Sequence, residues 1–345
     1  MDELRLLAKQ FFKLFAVVIV LVGIGFILLL IYESKPEQYI PIISKEPLAE
    51  STPWKPKDAV SELSSMPVKI KKGYFLIAET SKFMGPNAEN PEDRYSGNNL
   101  ACANCHLQKG AQAGSGSWVG IIERFPQFGG RGNKIGTIED RINGCMERSM
   151  NGKMLPVESD KMEAIVAYMK WLGEGLPENR KAEFKGYPQI QIPNVAVDLE
   201  KGNQVYKKEC VICHGENGAG ILSADGKSYT YPPLWGPDSF NDGAGMNRVI
   251  TSAEFIKSNM PYLQATWDNP KLTDEEAYHV AGYINSFSRP HKANTENDYP
   301  DKKLKPVSTP YGPWVDEFSP EQHKYGPFPP IMDYYTKEYG ITKKK

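Results

Sequence analysis

The first stretch of the chain breaks the usual mixing of polar and apolar residues. Leu14 to Tyr32 is a run of 19 residues without a charge, which spans about 28 Å as a helix, close to a bilayer core of about 30 Å. Arg5, Lys9 and Lys13 precede it, so the positive-inside rule predicts a single-pass helix over residues 1–32 with the rest of the chain exported. A cleaved signal peptide is the rival reading, but the run is longer than an h-region and no small-x-small site follows it. Residues 33–68 then carry Pro36, Pro41, Pro47, Pro53 and Pro56 among polar side chains, a composition expected of a semi-rigid linker.

Beyond the linker a helical period appears twice. Ile165, Tyr168, Met169 and Leu172 fall at offsets 0, 3, 4 and 7 in a helix predicted from Ser159 to Leu172, capped by Ser159 and stopped at Gly173. Ala277, Val280, Ala281 and Ile284 repeat those offsets after Thr273-Asp274-Glu275-Glu276, which has capping-box form. Each periodic segment closes a region that runs from a short helical stretch through a cysteine pair and a Gly-rich passage, so the chain reads as a degenerate repeat. The halves are placed at 69–187 and 188–290, joined by the extended Pro188 to Pro193, for which one short strand is the alternative. Residues 291–345 are rich in both proline and aromatics, which suits an extended arm packed over the domains. The expected fold is mainly α.

Composition narrows the class. The 345 residues are 40% hydrophobic and 24% charged, with 41 basic residues against 42 acidic ones. Disorder and a polytopic membrane protein are excluded, and no basic cluster with interleaved aromatics points to nucleic acid. Five cysteines cannot all pair. Cys102-Ala103-Asn104-Cys105-His106 and Cys210-Val211-Ile212-Cys213-His214 are both C-x-x-C-H, the attachment signature of c-type haem. Two thiols three positions apart reach the two vinyl groups of one porphyrin, and the histidine that follows ligates the iron. The chain therefore implies two covalently bound c-type haems, on His106 and His214. Such attachment takes place on the periplasmic side of the inner membrane, in agreement with the anchor.

The sixth ligand of each iron separates electron carriers from enzymes. For the second haem Met260, followed by Pro261, is the leading candidate and Met246 the alternative. For the first, Cys145 lies 39 residues after His106, where a ligand is expected, with Met150 and Met154 as alternatives. Cysteine there would supply a thiolate. Arg141, Cys145 and Ser149 are spaced by four, which aligns them on one face if the segment is helical. Arg131, Arg124, Lys134, Arg148 and Lys153 add positive charge suited to oxyanions; Arg124 and Arg148 are expected to serve propionates or nearby acids.

Leu100 to Leu107, Arg131, Arg141 to Lys153, Trp235-Gly236-Pro237 and Asn259-Met260-Pro261 together closely resemble the dihaem thiosulfate dehydrogenase/tetrathionate reductase family, over about residues 70 to 290. The tail from His323 to Pro330 resembles family extensions. The resemblance implies two class I cytochrome c-like domains in tandem, with Cys145 as haem-ligating catalytic cysteine, Arg131 and Arg141 as substrate-binding arginines, Ser149 as active-site serine and Met260 as ligand of the second haem. It implies interconversion of thiosulfate and tetrathionate, with electrons exchanged with a partner cytochrome or a membrane oxidase. Some members have lysine before that methionine and exchange ligands with redox state; Asn259 stands there in this chain. The reading from another class is a membrane-anchored dihaem electron carrier without a substrate of its own.

Overall fold

A computed structural model of the chain describes residues 2–33 and 54–345. Residues 34–53, with Pro36, Pro41, Pro47 and Pro53 and most of the expected linker, lie outside the described residues. The first unit is the helix α1 (Asp2–Glu33). Its stretch Arg5–Leu30 is long and apolar enough to cross a membrane and buries none of its side chains in protein.

Residues 54–345 form a second compact unit, built from two similar helical halves. The first half contains α2 (Val68–Ala78), α3 (Thr80–Met84), α4 (Ile138–Arg148) and α5 (Asp160–Leu172). The second contains α6 (Leu199–Glu209), α7 (Val211–His214), α8 (Val249–Asn259) and α9 (Asp274–Ser286). In each half the opening and closing helices cross, α2 on α5 and α6 on α9. Both closing helices start at the caps that the sequence predicts. Ser159 Oγ accepts from Met162 N at 3.2 Å, and Thr273 and Glu276 form a reciprocal capping box.

A glycine makes each crossing close. A Cβ on Gly73 would sit 2.1 Å from the Ala164 carbonyl oxygen, and one on Gly202 2.3 Å from that of His279. The two halves therefore share a glycine-mediated helix crossing as well as their haem motif. Sheet is confined to two antiparallel hairpins, β1 (Gln127–Gly129) with β2 (Lys134–Gly136) and β3 (Ile221–Leu222) with β4 (Tyr229–Tyr231). Pro188 to Pro193 forms no strand.

Each half has its own core, and the two interlock. The first is built on residues such as Met84, Trp118, Met146, Tyr168 and Leu172, the second on Tyr206, Ile250, Tyr278, Val280 and Ala281. Leu107, next to the first haem histidine, is buried in the second core, and Tyr229 of the second half packs on the first. Asn259 joins the halves by hydrogen bonds: its Nδ2 donates to Gly114 O at 2.8 Å and its Oδ1 accepts from Gln112 Nε2 at 2.8 Å. It is completely buried.

Two expectations change. Residues 54–67, expected to belong to the linker, pack on the first half: Trp54 Nε1 donates to Glu174 O at 3.2 Å and its ring lies edge-on to Phe184, while Ala59 and Met66 join the core. The arm, expected to be extended throughout, ends in α10 (Pro320–Tyr325) and α11 (Pro329–Tyr339). Pro320, Pro329 and Pro330 stand in the first turns of these helices, where the missing N–H costs nothing, so they start helices rather than break them. Phe328, Ile331 and Tyr335 are buried in the second core. His323, also fully buried, lies between Val307 O at 2.7 Å and Asp316 Oδ1 at 2.8 Å and stacks on Trp314.

Gly202→Ala is expected to destabilise the protein by about 1–3 kcal/mol through overpacking at the α6–α9 crossing, measured by guanidinium unfolding followed by circular dichroism. In the same assay Asn259→Leu leaves Gly114 O and the Gln112 amide unpaired, with an expected cost of about 1–3 kcal/mol. Wild-type midpoints would refute both.

Candidate haem-binding and substrate site

Each C-x-x-C-H sequence sits on one tight turn. Cys102 and Asn104 lie in a 3-10 turn, and Cys105 N and His106 N both donate back to Cys102 O. Cys210 caps α7, and Cys213 N and His214 N donate to its carbonyl in the same way. None of the four sulfurs is engaged in a disulfide. Burial raises the thiol of Cys102 to about 12 and that of Cys105 to about 11.

The histidines repeat one another closely. His106 Nδ1 faces Gly116 O at 2.8 Å and His214 Nδ1 faces Pro232 O at 2.8 Å. Nδ1 is therefore the protonated nitrogen in each ring, which leaves the Nε2 lone pair as the donor to a metal. Burial lowers both imidazoles below their ordinary range, His106 to about 4, and keeps them neutral as ligation requires. Trp118 lies against the His106 ring at 4.6 Å between centroids. In each half two thiols placed to bond a porphyrin and one oriented neutral imidazole placed to ligate its iron fit a covalently attached haem.

The remaining candidates gather beside the first of these sets. β1 and β2 lead into α4, whose start is fixed by Thr137 Oγ1 accepting from Asp140 N and by the Asp140 carboxylate accepting from Thr137 N. On the next turns Arg141 and Cys145 share a face, and Arg141 Nη1 donates to Cys145 Sγ at 2.7 Å. The sulfur raises the proton affinity of Arg141 more than any other group does, against the opposing effect of burial. The same sulfur disfavours ionisation of Cys102 and Cys105, and the Arg141 charge lowers His106. Cys145 and Arg141 thus lie next to the first haem motif. Arg141 is exposed to solvent.

The end of α4 is clamped from several directions. Ser149 is its C-cap in helical conformation, with its N–H donating to Cys145 O, so Ser149 continues the Arg141–Cys145 row. Its own carbonyl accepts from Asn98 Nδ2 at 3.0 Å, and Asn241 Nδ2 reaches across from the second half to Glu147 O at 2.9 Å. Of the alternative ligands, Met150 is buried in the first core and Met154 is 58% exposed.

Arg131 lies within electrostatic reach of Arg141, but it is not unpartnered. Its Nη1 donates to Gly243 O at 3.1 Å, Asp298 Oδ2 at 2.5 Å and Tyr311 Oη at 3.0 Å. Arg148 takes the other oxygen of Asp298 at 2.8 Å, and Arg124 donates to Ser117 O and Val119 O. Asp298 and Tyr311 belong to the arm and were not among the candidates from sequence. Tyr187 was also missed: its phenol, raised by burial and then by the Cys105 sulfur, feels Arg141 and Cys145 as well. No motif marks these residues, because they reach the site only through tertiary packing.

In the second half Met260 follows α8 as its C-cap and packs, partly buried, on the second core together with Cys210; Met246 packs there too. The side chain of Asn259 is taken up by its bonds to Gly114, Gln112 and Phe255 O.

Comparison with known proteins places these features in a family. A model described as SoxA/TsdA, cytochrome c domain, matches residues 92–177, and a cytochrome c model matches residues 199–288. The chain is 36% identical over 235 residues to the thiosulfate dehydrogenase of Stutzerimonas stutzeri (strain A1501), covering 68% of this chain and 70% of that protein. It is 42% identical over 200 residues to that of Allochromatium vinosum, covering 57% and 72%. A solved thiosulfate dehydrogenase (TsdBA) from Marichromatium purpuratum in its "as isolated" form superposes with a TM-score of 0.60 at 32% identity, over 70% of this chain and 50% of that one. With two cytochrome c domains and two c-type haems, the chain belongs to the thiosulfate dehydrogenase family.

Proposed function

We propose that this chain joins two thiosulfate dianions into tetrathionate and withdraws two electrons, and that the reverse reaction uses the same residues. The observation that carries this reading is the Arg141 guanidinium at 2.7 Å from Cys145 Sγ, beside the first haem motif. His106 and Cys145 are the residues assigned to the first iron, His214 and Met260 those assigned to the second. The haems, when bound, supply two one-electron acceptors and a route outward to a partner cytochrome or membrane oxidase.

The protein's own part is charge and position. Two thiosulfates repel, and cations at the site offset that repulsion. The Arg141 guanidinium donates to Cys145 Sγ, and a thiolate is the sulfur nucleophile this chemistry needs. In the proposed sequence Cys145 Sγ, which would first have to come off the iron, bonds to the sulfane sulfur of one thiosulfate as two electrons pass to the haems, giving a cysteinyl thiosulfonate. The sulfane sulfur of a second thiosulfate attacks the bound sulfane sulfur, which breaks its bond to Cys145 and releases tetrathionate and the thiolate. Arg131 and Arg141 bind the sulfonates, and Ser149 Oγ donates to a sulfonate oxygen. The apolar stretch Arg5–Leu30 supports retention of α1 as a single-pass anchor in the inner membrane, with the haem domains in the periplasm.

In the fully haem-loaded protein, Cys145→Ala is expected to lose about 1,000-fold or more in both thiosulfate oxidation and tetrathionate reduction. Steady-state assays with an artificial acceptor and donor measure this, and full activity in the variant would overturn the mechanism. Arg141→Lys keeps the charge but loses the planar fork, and is expected to raise KM for thiosulfate about tenfold.

A further inference from the structure

Asp298 presents a problem of sign. It places a carboxylate within bonding distance of Arg131 in a site read as binding dianions, and it is 7% exposed. Burial favours its neutral form, yet Arg131, Tyr311 and Arg148 hold its carboxyl below the usual range. As a charge alone it would repel thiosulfate and weaken the site.

Geometry offers a reason for its presence. All three hydrogen bonds of Arg131 run through Nη1, to Gly243 O, Asp298 Oδ2 and Tyr311 Oη. Tyr311 Oη itself donates to Asp298 Oδ2 at 2.7 Å, so its lone pair is turned to the arginine. The Tyr299 ring lies 5.3 Å from Arg131 Cζ, and Tyr299 N donates to Arg131 O at 2.8 Å. Backbone, ring and one end of the guanidinium are therefore all held by the arm. Among the described residues Nη2 and Nε of Arg131 have no protein acceptor. An arginine fork fixed at one nitrogen keeps its other edge for a bidentate contact to an oxyanion.

We propose that the arm completes the substrate site: Asp298, supported by Tyr311, is a positioning residue that locks Arg131 so that its Nη2–Nε edge receives a thiosulfate sulfonate. The inference rests on the thiosulfate reading above. A flexible arginine would have to be ordered by each incoming anion, whereas a locked one is ordered in advance. The loss of positive potential is the smaller effect, because Arg148 compensates the same carboxylate through its other oxygen at 2.8 Å.

The two effects predict opposite outcomes, so one substitution decides between them. Thiosulfate Kd is measured calorimetrically on the full-length, haem-loaded protein, anaerobic and fully reduced so that no turnover occurs. Asp298→Asn is expected to weaken Kd about tenfold and Tyr311→Phe about threefold, with Asp298→Glu between wild type and Asp298→Asn. KM rises in parallel, and kcat falls by less than KM rises, a split that general destabilisation would not produce. Unchanged or tighter binding by Asp298→Asn, with wild-type haem spectrum and Tm, overturns the inference. If Asp298→Asn does not fold, unchanged binding by Tyr311→Phe overturns it instead. A wild-type protein that binds no thiosulfate sinks the functional reading and this inference with it, whereas wild-type binding unaffected by the variants sinks only the inference.

Discussion

A guanidinium hydrogen-bonded to a cysteine sulfur one helical turn away is the contact around which this site is organised. The 2.7 Å separation of Arg141 Nη1 and Cys145 Sγ requires an intact α4, because only helical geometry brings positions i and i+4 together. The chain secures that helix at both ends. Thr137 and Asp140 cap its start, and Asn98 and Asn241 accept the task at its end by bonding the Ser149 and Glu147 carbonyls. Asn241 comes from the second half, so the geometry of the first haem's neighbourhood depends on how the two cytochrome domains pack.

The same dependence runs in the other direction. Asn259 precedes Met260, the residue proposed for the second iron, and bonds the 112–114 loop of the first half. Two residues further on, Gly116 O orients His106. The two haem-binding regions are thus linked by a short path of hydrogen bonds, and burial of Leu107 in the second core adds an apolar link. An asparagine so occupied is held by the interface. The arm encloses both halves, with α11 in the second core and Asp298 at the arginines of the first.

Much of this was legible in the sequence because local chemistry carried it. The C-x-x-C-H motifs require one turn of chain each, the caps at Ser159 and Thr273 lie within three residues of their partners, and the Arg141-Cys145-Ser149 spacing is read on a single helix. Arg131, Asp298 and Tyr311 were not legible as a unit, since residues 131, 298 and 311 meet only after folding. The arm's helices were hidden for a different reason: a high proline content reads as helix-breaking, but three of these prolines occupy first turns. Residues 54–67 likewise have the composition of a linker, and only the placement of Trp54 over Phe184 shows that they pack.

Cys145, held by Arg141, is the proposed ligand of the first haem's iron. Electron paramagnetic resonance of the oxidised, haem-loaded protein tests it without reference to turnover. The expected result is a low-spin signal of thiolate type that disappears in Cys145→Ala while the second haem's signal persists. Two histidine–methionine signals in the wild-type protein, unchanged by that substitution, would contradict it.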